Sequence, residues 1–308
     1  MYVRKLKKIE IERNLQQVTI IGISVSIEIM LLYELQSPAI TTIEKRPSAT
    51  CKTPYVADIT VDNQHYYAHT PALGCCGLSD KGSSVVISPV EKSTNKCAYA
   101  VYLSLLYEKD HTFVIGIHPK MAEILVDQMI ERNCFRFLEN STKKKREFKF
   151  LNSRFDFTGV DQDGCPYILE VKNVPLADYV DVPKKIRKQY KNIENTKQVH
   201  EKIAYFPDGY RKNSTQVVSE RALKHIHELT EIKKTTNYRP ILCFVIQRTD
   251  VCHFQPSNID LTYKKAVQEA HEVGVEIRAV QVEWTTDGKC HFVRDDLPVK
   301  LYESIPSP

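Results

Sequence analysis

Only ten glycines occur in 308 residues, of which 26% are charged. That composition excludes a collagenous, low-complexity or disordered chain, and no segment repeats itself. The nine cysteines show no C-x-x-C spacing, although Cys75 and Cys76 are adjacent. Neither a zinc ribbon nor a disulfide framework is therefore written here, and a reducing, intracellular compartment is expected, cytoplasmic with the nucleus left open. None of the ten histidines lies in an H-E-x-x-H helix, and His65 and His69 fall in a strand-like stretch, so no zinc site is expected. A membrane-spanning run is lacking as well. The apolar stretch "VTIIGISVSIEIMLLYEL" is interrupted by Glu28, no small-residue cleavage site follows it, and it is short for a span of about 20 residues. Residues 1–35 read as an extension that packs on the body or on another subunit, which leaves a homo-oligomer open; no membrane partner is expected.

What the chain does have is a 42% hydrophobic content and length enough for two modest domains. Lysine and arginine total 43 against 38 acidic residues, giving +5, an excess that permits an anionic partner without demanding one. The basic charge clusters in "KKKREFK" (143–149), read as a loop, and in "KKIRKQYK" (184–191); each is equally compatible with a solvated face.

Short strand-like runs alternate with turn clusters from Pro54 to Gly116: "YVADITV", "QHYYAHT", "SSVVISPV", "CAYAVYLSLLY" and "TFVIGI". That spacing predicts a small β-barrel or sandwich, of which the oligonucleotide-binding (OB) barrel is one form. From Pro119 the texture changes. Met121, Ile124, Leu125 and Met129 recur at helical spacing, with Glu123, Asp127 and Glu131 on a face expected to be solvated. Downstream, "SERALKHIHELTEI" predicts a helix capped by Ser219, with Leu223, Ile226, Leu229 and Thr230 toward one side. The run "PILCFVIQ" predicts a strand covered on both faces, "DLTYKKAVQEAHEVG" a helix from Asp260 to Gly274, and "VEIRAVQVEW" another strand. The second half is thus a mixed α/β sheet flanked by helices.

Chemistry concentrates in "SRFDFTGVDQDGCPYILEVKN" (153–173), which reads as two strands joined by an Asp-Gly turn. Period-2 alternation predicts Phe155 and Phe157 on one face and Arg154 and Asp156 on the other, with Glu170 and Lys172 together on the second strand. A hairpin would bring Asp156 toward Glu170. Two carboxylates, a main-chain carbonyl such as that of Val171 and several waters can hold Mg²⁺ or Mn²⁺, and the lysine can position water or stabilise developing charge. By itself E-x-K is common on exposed, salt-bridged strands.

The strings "SRFDF", "YILEVKNVPL", "YFPDG", "SERALKHIHEL" and "VGVEIRAVQVE", with "HYYAHTPALGCCGLSDKGSSVVIS" in the first half, strongly resemble the sugar fermentation stimulation protein A (SfsA) family in the same order. The similarity runs from about Ser37 to Arg294. The resemblance implies a mixed α+β fold: a 36–117 OB-like β-barrel domain, then a 118–308 PD-(D/E)XK nuclease-like α/β domain with a basic insertion at about 180–203, and DNA binding as the associated property. Asp156 matches the family's acidic residue before the turn, and Glu170 and Lys172 its E-x-K pair. Glu220, Arg221, Lys224 and His225 match a polar motif opening the next helix, where Glu220 or Lys224 could orient water or phosphate. Asp127 falls near an acidic position and stands as a candidate third metal ligand. Arg154, Lys184, Lys185, Arg187, Lys188, Arg221 and His225 are the expected nucleic-acid contacts.

The chain departs from the family pattern at Ala72 and Leu73 of "HTPALG", at His118 and Pro119, in the 180–203 excursion and in the short insertion "YRKNSTQV". The expected function is a DNA-binding, Mg²⁺-dependent phosphodiesterase. A non-catalytic DNA-binding regulator with a nuclease-like fold, or an interaction protein docking through the extension and excursion, remains as an alternative.

Overall fold

The computed structural model describes residues 17–20, 23–26, 30–70, 77–90, 96–208 and 217–307. Cys75 and Cys76, the altered Ala72 and Leu73, and "YRKNSTQV" up to residue 216 lie outside the described residues. Strands β1 (Gln17–Ile20) and β2 (Ile23–Ser26) pair antiparallel, and β3 (Leu31–Glu34) follows.

Next come β4 (Ala39–Lys45), β5 (Val56–Val61), β6 (Gln64–His69), β7 (Ser84–Pro89), β8 (Tyr99–Glu108) and β9 (His111–Gly116), in the sheet order β6-β5-β4-β7-β8-β9. Strand β8 also pairs with β6 through Ala68–Tyr99 and His69–Ala100, so five of the six strands close into a barrel with β9 added outside. Closure leaves no free edge among those five. Inward positions alternate, so Ile43, Ala57, Ile59, Ala68, Val85, Ile87 and Val101 form one interior. The five strands read from the sequence are present; the ring also needs β4, which joins β5 to β7 and is not among them.

After helix α1 (Pro119–Glu131) come β10 (Thr142–Phe150), β11 (Ser153–Val160), β12 (Pro166–Val174), β13 (Ala177–Asp178), α2 (Lys191–Thr196), β14 (Lys202–Phe206) and α3 (Glu220–Thr235). Then β15 (Arg239–Ile246), β16 (Val251–Pro256), α4 (Leu261–Glu272), β17 (Glu276–Trp284) and β18 (Lys289–Arg294) complete the chain. The main sheet runs β10-β11-β12-β15-β17-β18-β3, and β13-β14-β16 form a smaller one. Strands β12, β15 and β17 are parallel. Along β15, Ile241, Cys243 and Val245 enter the core shared with α1, while Leu242, Phe244 and Ile246 enter the core under α3 and α4. A strand covered on both faces reads as a continuous apolar run for that reason. The fold is therefore α+β, an OB-type barrel followed by an α/β domain. Among the described residues, no helix is long and apolar enough to cross a membrane.

Three expectations change. "KKKREFK" is not a loop but the edge strand β10, because Phe148 and Phe150 pack toward the α3 core and pin it to β11. Leu31–Glu34, placed in the extension, is a strand of the main sheet. Its Leu32 enters the core. The excursion is not devoid of apolar packing: Tyr179, Val180, Val182 and Tyr190 form a small core of their own.

Two of the contacts that join the barrel to the α/β domain are polar and closely packed. Gly116 Cα lies so close to Gln247 that a Cβ there would stand 2.1 Å from its Oε1, and the Gly116 N–H donates to the Gln247 carbonyl at 2.9 Å. Lys202, 4% exposed, pairs with Glu108 of β8 and, at 2.8 Å, with Asp250, which Arg248 also grips.

Candidate active site

Pairing between β11 and β12 ends at Phe157–Leu169. Asp156 and Glu170 lie one residue beyond, where the strands part, while β12 stays paired with β15. The N–H of Val171, freed from the ladder, donates to Asp156 Oδ2 at 2.7 Å. Simple alternation fails here. Phe155 packs in the α3–α4 core and Phe157 in the α1 core, on opposite faces. On the neighbouring strand the flanking pairs Arg146–Phe157 and Phe148–Phe155 bracket Glu147, whose φ is 56°. The left-handed residue lies opposite Asp156 and accompanies the change of face. Asp156 is thereby directed to the gap.

Glu170 is 2% exposed. Its Oε1 takes hydrogen bonds from Lys172 Nζ and His225 Nδ1, and its Oε2 is buried without a partner. Burial pushes the Glu170 carboxyl up, but Lys172 and His225 outweigh it and hold it below the usual range. Among the described residues, no cation pairs with the Asp156 carboxylate. Burial, followed by the Glu170 charge, raises it to about 7. Such separation of two neighbouring carboxylates is a mark of functional sites.

The structure brings Asp156, Glu170, Val171 and Lys172 together, and it places the other predicted residues differently. Asp127 is taken up by Lys144 and, at 3.1 Å, by Arg146 of β10, so the acidic face of α1 is an ion-paired seam and not a solvated one. One turn earlier, Glu123 is the α1 residue that senses the site. Burial and then the charges of Glu147 and Glu170 raise its carboxyl, partly offset by Arg146 and Arg221. The helical spacing picked out this face but not the turn that reaches the gap.

His225 is 4% exposed, so it braces Glu170 from within and offers no surface contact to nucleic acid. Glu220 and Lys224 lie on the outer face of α3 beside His227 and Glu231; Lys224 donates to the Asn152 carbonyl at 2.7 Å. Neither meets Asp156 or Glu170. Ser219 caps α3 by accepting from Ala222 N at 3.2 Å, and Arg221 is exposed near Glu123. In the excursion Lys184, Lys185 and Lys188 are exposed, whereas Arg187 is committed to Asp178 at 2.6 Å. The excursion is anchored toward the barrel, through Tyr179 to Glu108 and from Lys109 to the Lys197 carbonyl. At the departure before α1, His118 stacks on Tyr102 at 4.7 Å, and burial followed by His69 and Lys120 pushes it down to about 4.

Residues 120–288 match the family model described as "Sugar fermentation stimulation protein RE domain". The chain belongs to the SfsA family. A sugar fermentation stimulation protein homolog of Clostridium tetani is 28% identical over 245 residues, 79% of this chain and 89% of that one. A homolog from Crocosphaera subtropica is 30% identical over 243 residues, 76% of this chain and 86% of its own length. Among solved structures, Pyrococcus furiosus SfsA in complex with Ca²⁺ is similar at TM-score 0.67 and 20% identity, covering 88% of this chain and 99% of that one. That likeness extends the SfsA fold to both halves of the chain.

Proposed function

We propose that this SfsA-family protein is a DNA-binding phosphodiesterase dependent on Mg²⁺ or Mn²⁺, with its reaction centre between β11 and β12. The observation that carries the reading is the pairing of Asp156 with Glu170 at the parting of the strands, with Glu170 Oε2 buried and unpartnered and Asp156 raised to about 7. Two carboxylates that repel one another and an orphaned oxygen are stabilised together by a hard cation.

The donor set fits such an ion. Among the described residues no third His, Cys, Asp or Glu completes a cage, and Mg²⁺ commonly takes one or two carboxylates and keeps several waters. Asp156, Glu170 and the Val171 carbonyl would hold it, since the N–H and C=O of one strand residue point the same way and the Val171 N–H faces Asp156. Ca²⁺ in the Pyrococcus furiosus relative is a cation of the same oxygen preference. When bound, the ion would polarise a phosphoryl oxygen and lower the pKa of a coordinated water. The chain's own part is positional. His225 fixes the Glu170 rotamer, Lys172 sets an ammonium beside the same carboxylate for charge developing on phosphate, and Glu123 adds a third carboxylate whose pKa burial and the neighbouring acidic charges raise.

The test is cleavage of labelled single- and double-stranded DNA with Mg²⁺, Mn²⁺ or EDTA, comparing the natural protein with Glu170→Gln and Lys172→Ala. Metal-dependent cutting that falls at least about 100-fold in both variants supports the reading. Salt-sensitive binding without cleavage by any of the proteins replaces it with that of a DNA-binding regulator.

A further inference from the structure

We propose that Lys149 and Arg154 form a clamp for a DNA backbone phosphate beside the carboxylate pair, and that the Glu147 carboxylate occupies the clamp until DNA displaces it. This inference rests on the nucleic-acid reading above. Lys149 and Arg154 are direct partners across the β10–β11 register. Like charges placed directly opposite in a sheet are destabilising, so the fold alone does not ask for this pair. Only Arg154 has a counter-charge, from Glu147; the two side chains are 64% and 49% exposed. Among the described residues, no carboxylate lies within ion-pair distance of Lys149.

Glu147 is itself out of place. It adds negative charge to a neighbourhood that already holds Asp156, Glu170 and Glu123, and it helps to raise Glu123. Its backbone is left-handed, φ 56°, a conformation that costs a residue with a side chain. An exposed carboxylate on an arginine presents the same paired oxygens as a phosphate diester. The register sets it opposite Asp156, and a phosphate taking its place on Arg154 would sit next to the reaction centre. Protection of a bare sheet edge by lysine accounts for Lys143 and Lys145 on β10. It does not account for an arginine on the second strand or for the acidic residue that pairs with it.

The test is fluorescence anisotropy with labelled single-stranded and duplex DNA in EDTA, which separates binding from cleavage, over about 50 to 200 mM salt. Lys149→Gln and Arg154→Gln should each weaken binding at low salt and lower the salt slope by about 0.7–0.9, so that each variant's deficit relative to wild type shrinks roughly 3-fold from about 50 to 200 mM, one phosphate contact apiece. Glu147→Gln should tighten binding, the opposite sign, whereas a merely structural ion pair would make its loss neutral or harmful. Lys149→Arg should keep the wild-type slope, which guards against misfolding as the cause. If wild-type protein binds DNA but the glutamine variants at 149 and 154 keep its affinity and slope, or Glu147→Gln fails to tighten binding, the clamp is overturned and the DNA reading stands. If wild-type protein binds no DNA, the DNA reading itself fails.

Discussion

Replacing Asp156 with Asn measures what the carboxylate pair costs in the absence of a cation. Asp156 rises from 3.8 to about 7, through burial and then the Glu170 charge. Below about pH 4 it is protonated in both folded and unfolded chains and contributes no penalty. Between about pH 4 and 7 the unfolded chain loses this proton while the native state keeps it, so native stability falls as pH rises. Above about pH 7 both states are ionised and the full penalty applies. A displacement of about three units at 1.36 kcal/mol each makes that penalty about 4 kcal/mol. Asn keeps the shape and an oxygen to accept from Val171 N but carries no charge. In EDTA, the stability of Asp156→Asn minus that of the natural protein should climb by about 4 kcal/mol from pH 4 to pH 7.5 and then level off. Urea unfolding followed by the fluorescence of the single tryptophan, Trp284, buried in β17, provides the assay. Adding Mg²⁺ or Mn²⁺ at pH 8 should stabilise the natural protein and not the variant. A difference curve that stays flat from pH 4 to 8 would refute the reasoning.

Two further changes address the scaffold. Leu151, 45% exposed, holds φ 50° in the two-residue turn between β10 and β11, so Leu151→Asn should stabilise the protein by about 0.5–1 kcal/mol, seen as a higher melting temperature. Lys202→Met should destabilise by about 3 kcal/mol in urea unfolding, because the fully buried Asp250 and the half-buried Glu108 lose a shared cation; a Lys202–Glu108 double-mutant cycle should return positive coupling.

The main elements were legible because their patterns are strong. Residues 119–131 show a clean helical stripe, 239–246 an unbroken apolar run, and the hairpin from Ser153 to Asn173 carries an Asp-Gly turn. The misses have local causes. A left-handed Glu147 is invisible to a rule that assumes regular alternation, so Phe155 and Phe157 were assigned to one face when they occupy two. Strand β10 was hidden by its lysines, since an edge strand needs few buried side chains. Asp127 and Glu123 share a helix face one turn apart, and only tertiary packing decides which meets Lys144 and which meets the gap. His225 looked like an exposed helix-start residue because histidine carries no fixed burial preference. Its partner Glu170 lies 55 residues earlier, beyond any local pattern.

Strand β3 completes the main sheet by pairing with β18, Glu34 with Lys289 and Tyr33 with Cys290, roughly 250 residues later. During synthesis the barrel can form soon after Gly116 emerges, whereas this pairing must wait for nearly the whole chain and close a very long loop. The barrel is thus threaded between the two halves of one strand pair. A fragment starting at about residue 118 would leave the flank of β18 unpaired and the apolar seat of Leu32 and Leu35 uncovered, a bare edge of the kind that drives aggregation. The α/β domain is sequence-contiguous only in appearance; its last strand is supplied by the chain's beginning.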